Sequence, residues 1–406
     1  MTAKTCAACD CELDAGFIKV KIGGKTVEVC CDDCAQKLKE AYGSAAISRK
    51  GRAMNKNKVD AGVREKCWQT VRLFAALLVG ALIVGPYFGG SMPAQGNTDA
   101  PVRASIRVSE GFAMNAKQSS PIHRSVQTAS GRISYTEQGT GPVALFVHGV
   151  LLNGYLWRHQ LADLSDIRRC IAVDLLGHGD TEIAPDQDVS VTANAKMLKE
   201  LLDALNIDQV DLVGNDSGGG IAQIFAALYP ERVRSLTLTD CDTHDNWPPE
   251  AFKPFLAMAA AGGLRGTLEA MLSDKNVYRS PQALGPAYEH PEQVSDDSIE
   301  QYLRPFLRTE QRTRDLQRFL AAFDNKQTLA IEARLKTLKA PTLIVWGTDD
   351  VYFDVKWSHW LADNIPGTRR RVEFKGARVF FPEERWEEFN KELRAHWQAA
   401  QQKAAS

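Results

Sequence analysis

Val210-Asp211-Leu212-Val213 is an apolar run that enters Gly214-Asn215-Asp216-Ser217-Gly218-Gly219-Gly220, and Ile221 to Tyr229 then reads as a helix. The frame is small-x-nucleophile-x-small, with Asp216 in the nucleophile slot. A strand–turn–helix elbow of this kind lifts one side chain off the end of a sheet. Glycines suit positions 214 and 218, because the turn is strained and the strand and helix backbones come close. A carboxylate there can attack carbon and form an ester intermediate. Releasing that ester needs an activated water, which is commonly the work of a histidine base. His244 is the best candidate for that base. It follows Asp240-Cys241-Asp242-Thr243 at the end of a strand, and such strand ends face the pocket in open α/β sheets. The competing reading of His244 is a hinge residue hydrogen-bonded to Asp242 or Asp245. His148 and His178 lie in glycine turns and read as structural; His148, Gly149 and Trp157 are placed around the pocket. His359 and His396 fall on helices.

A second chemistry-bearing cluster lies near the start of the chain. Cys6-x-x-Cys9 precedes two alternating runs, Phe17 to Ile22 and Lys25 to Val29, joined by Gly23-Gly24. That dipeptide is a hairpin signal. Cys31-x-x-Cys34 then opens a helix. Two Cys-x-x-Cys pairs around a hairpin predict a zinc ribbon or treble clef, with Cys6, Cys9, Cys31 and Cys34 as thiolate ligands of one structural Zn²⁺. Cys11 and Cys30 are further thiols, so the choice of four stays open, and a disulfide module is the alternative. Cys170 and Cys241 sit beside strands and read as small buried apolar residues.

These sites need a frame. The chain has 406 residues, of which 44% are hydrophobic and 24% charged. That is an ordinary globular composition. A formal net charge of -1 gives no support to a nucleic-acid partner. Residues 1–43 form the Cys-rich module and 44–71 a basic linker. Residues 72–88 are almost unbroken in their apolar character and read as a transmembrane or signal-type helix. Leu73 to Phe88 spans about 24 Å at 1.5 Å per residue, short for a bilayer unless flanks such as Arg72, Trp68 and Tyr87 help. Positive residues precede the run, which predicts a single pass with the N-terminal module in the cytoplasm and the rest outside. Were Met54 the start, the same run would suit a signal peptide; a buried helix is the third option. Residues 89–121 read as a tether.

From His123 onward strands alternate with helices. Strands are expected at Arg124 to Ser130, Arg132 to Glu137, Val143 to Val147, Arg169 to Asp174, the elbow strand, Val233 to Thr239, Thr342 to Trp346 and Arg371 to Phe374. Val191 to Leu205 and Glu383 to Trp397 are expected helices. The pattern implies an α/β class with a doubly covered, mostly parallel sheet. Its core would comprise residues 122–243 and 336–400, interrupted by a helical cap over 244–335.

Four ordered motifs resemble the α/β-hydrolase superfamily: Phe146-Val147-His148-Gly149, Asp174-Leu175-Leu176-Gly177-His178-Gly179, the elbow at Asp216, and Leu343-Ile344-Val345-Trp346-Gly347-Thr348-Asp349-Asp350. An aspartate nucleophile resembles the haloalkane dehalogenases and epoxide hydrolases. The resemblance implies an SN2 attack by Asp216, an ester hydrolysed by activated water, an oxyanion site at the backbone N–H groups of Val150 and Ser217, and Asp350 as the supporting acid, with Asp349 as its neighbour and fallback. Val150 and Ser217 depart from the dehalogenase pattern of Asn and Trp, so that family's halide cradle is missing. A further departure follows the last strand. The superfamily has Gly-x-His where this chain reads Gly376-Ala377-Arg378. An arginine cannot serve as base, and Arg378 could instead pair with Asp216 or Asp350. Tyr278, Tyr288 and Tyr302 lie where epoxide hydrolases place ring-opening tyrosines, but three tyrosines in so long a helical stretch are ordinary, and packing is the favoured reading. The leading expectation is a membrane-tethered hydrolase acting on a small apolar substrate without a catalytic cofactor. The alternative is a non-hydrolytic binding or sensing protein on the same scaffold, with metal regulation through the Cys-rich module.

Overall fold

The computed structural model describes residues 18–22, 25–29, 35 and 120–405. The chain divides into two units, Met1–Ser109 and Glu110–Ser406. In the first, β1 (Ile18–Ile22) and β2 (Lys25–Val29) pair antiparallel, with Ile22 opposite Lys25. This is the hairpin signalled by Gly23-Gly24. The four cysteines assigned to zinc and the apolar run at 72–88 lie outside the described residues. Among the described residues, no helix is long and apolar enough to cross a membrane, and no three His, Cys, Asp or Glu side chains come together as metal ligands.

The second unit is built on an eight-stranded sheet. Its strands are β3 (Ile122–Thr128), β4 (Gly131–Gln138), β5 (Val143–Val147), β6 (Arg169–Val173), β7 (Val210–Asp216), β8 (Val233–Cys241), β9 (Thr342–Gly347) and β10 (Thr368–Phe374). Their order is β10-β9-β8-β7-β5-β6-β4-β3. The pairs from β6 to β10 are parallel, whereas β4 is antiparallel to both of its neighbours, β6 and β3. The sheet is therefore mixed but mostly parallel. A short glycine turn joins β3 to β4, which permits only an antiparallel pair; the parallel strands need the helical crossovers that separate them.

Val143-Ala144-Leu145-Phe146-Val147 is buried at every position, as is β7. Strands without alternation must be covered on both faces. Helix Ser217–Leu228 packs on β7 and β8 and on helix Val191–Ala204, while helix Trp386–Ala405 packs on Arg158–Leu164. Helices between Lys253 and Leu335 fill the interval between β8 and β9. Away from the pocket, Arg168 is nearly fully buried. It donates to Asp211 Oδ2 at 2.8 Å and stacks over Trp397 at 4.8 Å. Arg234 and Ser235 also donate to Asp211.

Candidate active site

Asp216 closes β7 with φ 56° and ψ -132°, immediately before helix Ser217–Leu228. Positive φ is costly for a residue bearing Cβ and persists only where the surroundings enforce it. Here they do so by crowding. A Cβ on Gly218 would lie 2.3 Å from the Val147 carbonyl oxygen, and a Cβ on Gly149 would lie 2.1 Å from Asp216 Oδ2. Glycine at both positions lets the elbow close against the turn after β5. Val150 N–H then donates to Asp216 Oδ2 at 3.0 Å, and the Ser217 N–H also favours the ionised carboxylate. The two expected oxyanion donors thus both face the Asp216 carboxylate. Burial nevertheless dominates, helped by the nearby Asp350, and pushes Asp216 up to about 8.

His148 is a brace for this arrangement. Its Nε2 accepts from the Leu175 N–H at 3.1 Å, which leaves Nδ1 as the protonated nitrogen donating to the Gly149 carbonyl at 2.7 Å. Burial holds the ring neutral, with a pKa near 4. His178 packs edge-on to Phe306 and Phe319 beneath the inserted helices.

Asp350 follows β9. Its Oδ1 accepts from the Tyr352 and Phe353 N–H groups, each at 2.7 Å. Its Oδ2 is buried with no hydrogen-bond partner. Burial raises this carboxyl to about 7 against the opposing effect of those amides, the Val379 N–H and the Arg378 charge. Asp240 holds the Gly347 N–H behind it. Asp349, the fallback acid, is exposed, and its carboxyl accepts from Thr348 Oγ1.

The cavity at the elbow measures about 420 Å³, including space open to solvent. Phe252, Phe323, Leu284, Phe353 and Phe380 supply apolar walls, and Asp216, Ser217, Asp242 and Tyr352 the polar ones. Val150 and Val379 also line it.

Three sequence-based placements are corrected here. His244 is not among the lining residues. Its ring stacks on Trp360 at 4.7 Å, and Nδ1 lies 3.5 Å from Glu332 Oε2. Its positive φ of 53° turns the chain away from the elbow, and its carbonyl accepts from Thr328 Oγ1. It behaves as the hinge residue, but with Glu332 rather than Asp242 or Asp245 as neighbour. Trp157 is wholly buried in the core against Phe146 and Phe389, away from the cavity. Arg378 clamps neither Asp216 nor Asp350; its Nη1 donates to the Pro286 carbonyl at 3.2 Å. The residues of this turn that line the cavity are Val379 and Phe380. Asn215 fixes that register, donating to the Val379 carbonyl at 2.7 Å and to Thr239 Oγ1 at 2.9 Å. Counting from Gly376 therefore selects the wrong residue by one.

The cap tyrosines pack, as the favoured reading has it. Tyr278 and Tyr288 share a hydroxyl contact of 2.9 Å, and Tyr302 donates to Glu383. Tyr352 is the tyrosine on the cavity wall; burial, then the charges of Asp350 and Asp216, push it up to about 12. Asp242 and Tyr352 are site residues that motif reading passed over. The usable signal was position: both lie just past the carboxyl ends of strands β8 and β9, where pockets form in such sheets.

A sequence model of the alpha/beta hydrolase fold matches residues 142–385, more than half of the chain. The chain belongs to the α/β-hydrolase fold family. Epoxide hydrolase 2 of Siraitia grosvenorii is 44% identical over 117 residues, covering 28% of this chain and 37% of the relative. A haloalkane dehalogenase of Mesorhizobium japonicum (strain LMG 29417 / CECT 9101 / MAFF 303099) is 30% identical over 196 residues, covering 46% of this chain and 60% of the relative. The chain thus spans less than two thirds of either enzyme. Among solved structures, the epoxide hydrolase CorEH aligns with a TM-score of 0.58 at 20% identity, over 69% of this chain and 99% of that one. That likeness carries the fold. The pocket lining holds two acids, Asp216 and Asp242, and no histidine among the described residues.

Proposed function

We propose that this α/β-hydrolase fold protein hydrolyses a small apolar electrophile, an epoxide or alkyl halide, with Asp216 as nucleophile and Asp350 as supporting acid. The observation that carries the reading is Asp216 itself, at a strained elbow with Oδ2 held by the Val150 N–H. Holding one oxygen leaves the other free to attack. The same N–H groups would then receive the oxyanion when water attacks the ester carbonyl carbon. The aromatic walls suit an apolar substrate. Tyr352, protonated at neutral pH, is the donor available to the leaving group. The epoxide hydrolase and haloalkane dehalogenase relatives support this substrate class. The test is intact-mass spectrometry after exposure to 1,2-epoxyhexane and to 1-bromobutane, with peptide mapping. The expected result is an adduct on Asp216, or turnover, and neither in Asp216→Asn. A wild-type protein that does neither would instead be the binding or sensing protein, with the cavity as its ligand site.

The N-terminal expectations stand beside this reading. Cys6, Cys9, Cys31 and Cys34 are proposed to hold one zinc, supported by the hairpin β1–β2 between the two pairs. Elemental analysis of the full chain purified under reducing conditions should find about one zinc per chain. Residues 72–88 are proposed as a single-pass tether placing the hydrolase unit outside the cytoplasm. Reporter fusions after Gly96 should be active only with an extracytoplasmic reporter; an active cytoplasmic reporter reverses the topology.

A further inference from the structure

Every other buried acid of the core has a partner. Asp174 receives the Gly154 and Asp180 N–H groups and the Ser134 hydroxyl. Asp211 is held by Arg168, Arg234 and Ser235, Asp240 by Gly347, and Glu383 by Arg158 and Tyr302. Asp242 differs. It is 1% exposed, yet neither carboxyl oxygen has a hydrogen-bond partner. Among the described residues it is the one buried carboxylate in that condition. A charge or polar group left so costs stability, and a purely structural position would be filled more cheaply by an apolar residue.

Asp242 also shares a wall of the cavity with Asp216 and Ser217. Ser217 Oγ is likewise buried without a hydrogen bond, and it lies close enough to favour the ionised form of Asp242. The backbone anchors the side chain: the Asp242 carbonyl accepts from Gln223 Nε2 at 2.8 Å, and Asp242 Cβ lies against Gly220. Burial, reinforced by Asp216, raises the carboxyl well above the usual range, the direction a general base needs. Apart from their contact with each other, the Ser217 hydroxyl and the Asp242 carboxylate have no hydrogen-bond partner, and both line the cavity with the nucleophile, which marks a place for water.

We propose that Asp242 is the general base that activates the hydrolytic water in place of histidine. The proposal rests on Asp216 being the nucleophile. In the first step an Asp216 oxygen bonds to substrate carbon, and the carbon–halogen or carbon–oxygen bond breaks with its electron pair on the leaving group. Water then bonds to Asp216 Cγ while its proton passes to Asp242, and the negative charge falls on the oxygen facing Val150 and Ser217. Collapse breaks the bond from Cγ to the ester oxygen. The departing alkoxide takes the proton from Asp242 and leaves as alcohol, and Asp216 is left as a carboxylic acid that ionises to solvent.

The experiment uses the full-length protein with 1,2-epoxyhexane and 1-bromobutane, in water enriched in ¹⁸O. Wild type should incorporate ¹⁸O into the Asp216 carboxyl. Asp242→Asn, checked for folding by circular dichroism, should still be alkylated on Asp216. Its turnover should fall by roughly 10² to 10⁴, the usual worth of a general base, and the ester should accumulate to one per chain without ¹⁸O uptake. Asp242→Glu should restore part of the turnover. Unchanged turnover in Asp242→Asn overturns the role of Asp242 while leaving Asp216 as nucleophile. So does a folded Asp242→Asn that no longer alkylates, since the residue would then act before the ester. Wild type with neither adduct nor turnover overturns both readings.

Discussion

Asp216 should be a measurable burden on the fold, and Asp216→Asn isolates it. The asparagine is isosteric, and its carbonyl oxygen can keep the Val150 N–H bond. What the substitution removes is the titration. Burial raises the Asp216 carboxyl from 3.8 in a free chain to about 8 in the folded protein. The folded state therefore retains a proton that the unfolded chain has released. For a group raised in this way, wild-type stability is at its fullest below about pH 4 and declines as pH climbs to about 8. Above that both states are ionised, and the loss is constant. At about 1.36 kcal/mol per unit, a shift of roughly four units costs on the order of 5 kcal/mol. Neutralising Asp216 also relieves Asp242, which Asp216 helps to raise, so the two effects share a sign.

The asparagine protein should thus match wild type near pH 4 and exceed it increasingly toward pH 8. At roughly 2 °C per kcal/mol for a domain of this size, the full effect is about 10 °C in Tm. Thermal unfolding by circular dichroism at intervals from pH 5 to 9 measures it. The difference in Tm should grow up to about pH 8 and then level off. An asparagine variant no more stable than wild type at pH 8 to 9, or an advantage independent of pH, would refute the burial argument.

Other outcomes follow from the same geometry. Ionised Asp216 is the attacking species, so the rate of adduct formation should rise about tenfold per pH unit below pH 8 and flatten above it; a rate already flat from pH 5 contradicts the raised carboxyl. Val379→His should raise turnover of the ester, because Val379 lines the cavity and its N–H faces the Asp350 carboxyl, while Arg378→His should not; steady-state assays of both separate the two registers. Gly149→Ala should abolish alkylation and lower Tm, since its Cβ would strike Asp216 Cβ as well as Oδ2; mass spectrometry and thermal unfolding by circular dichroism together read this. Arg168→Ala should cost about 1.5–3 kcal/mol by urea unfolding, the usual worth of a hydrogen bond to a charged group, because Asp211 keeps Arg234 and Ser235.

The elbow was legible in sequence because its geometry is local. Gly214, Asp216 and Gly218 specify a turn that no other residue types tolerate as well, and the strand before it is short, apolar and β-branched. Val143 to Val147 and Lys25 to Val29 were likewise placed to the residue, since buried strands bounded by turn signals have sharp ends. The last helix was shifted: it begins at Trp386, after a separate short turn at Phe381–Glu384, because Pro382 starts one helix and Arg385 leaves helical geometry before the next. For His244 the sequence leaves base and hinge both open, for a different reason. Sequence locates it at a strand end, but its side-chain direction depends on one dihedral angle and on the distant Glu332 and Trp360. Asp242 went unread because nothing local distinguishes it from the adjacent Asp240.

The alternation Asp240-Cys241-Asp242 shows how the same residue type is divided between two tasks. Asp240 belongs to the strand β8 and accepts the Gly347 N–H, so its carboxylate is consumed in tying β9 to the sheet beneath Asp350. Cys241, with a buried free thiol, fills the space where Gly219 admits it; a Cβ at Gly219 would lie 2.3 Å from Cys241 Cβ. Asp242 is one residue beyond the strand, and its carboxylate passes over the elbow helix into the cavity. Glycines 218 to 220 are therefore more than a flexible turn. They bring the start of helix Ser217–Leu228 close enough to β8 for an acid on that strand's end to share a cavity with an acid on the elbow. In a sheet where a histidine loop after the last strand would ordinarily reach across, Val379 leaves that approach apolar. On the proposed reading, the proton of the hydrolytic water at Asp216 then passes to the β8 side, where neither Asp242 carboxyl oxygen has a partner beyond its contact with Ser217.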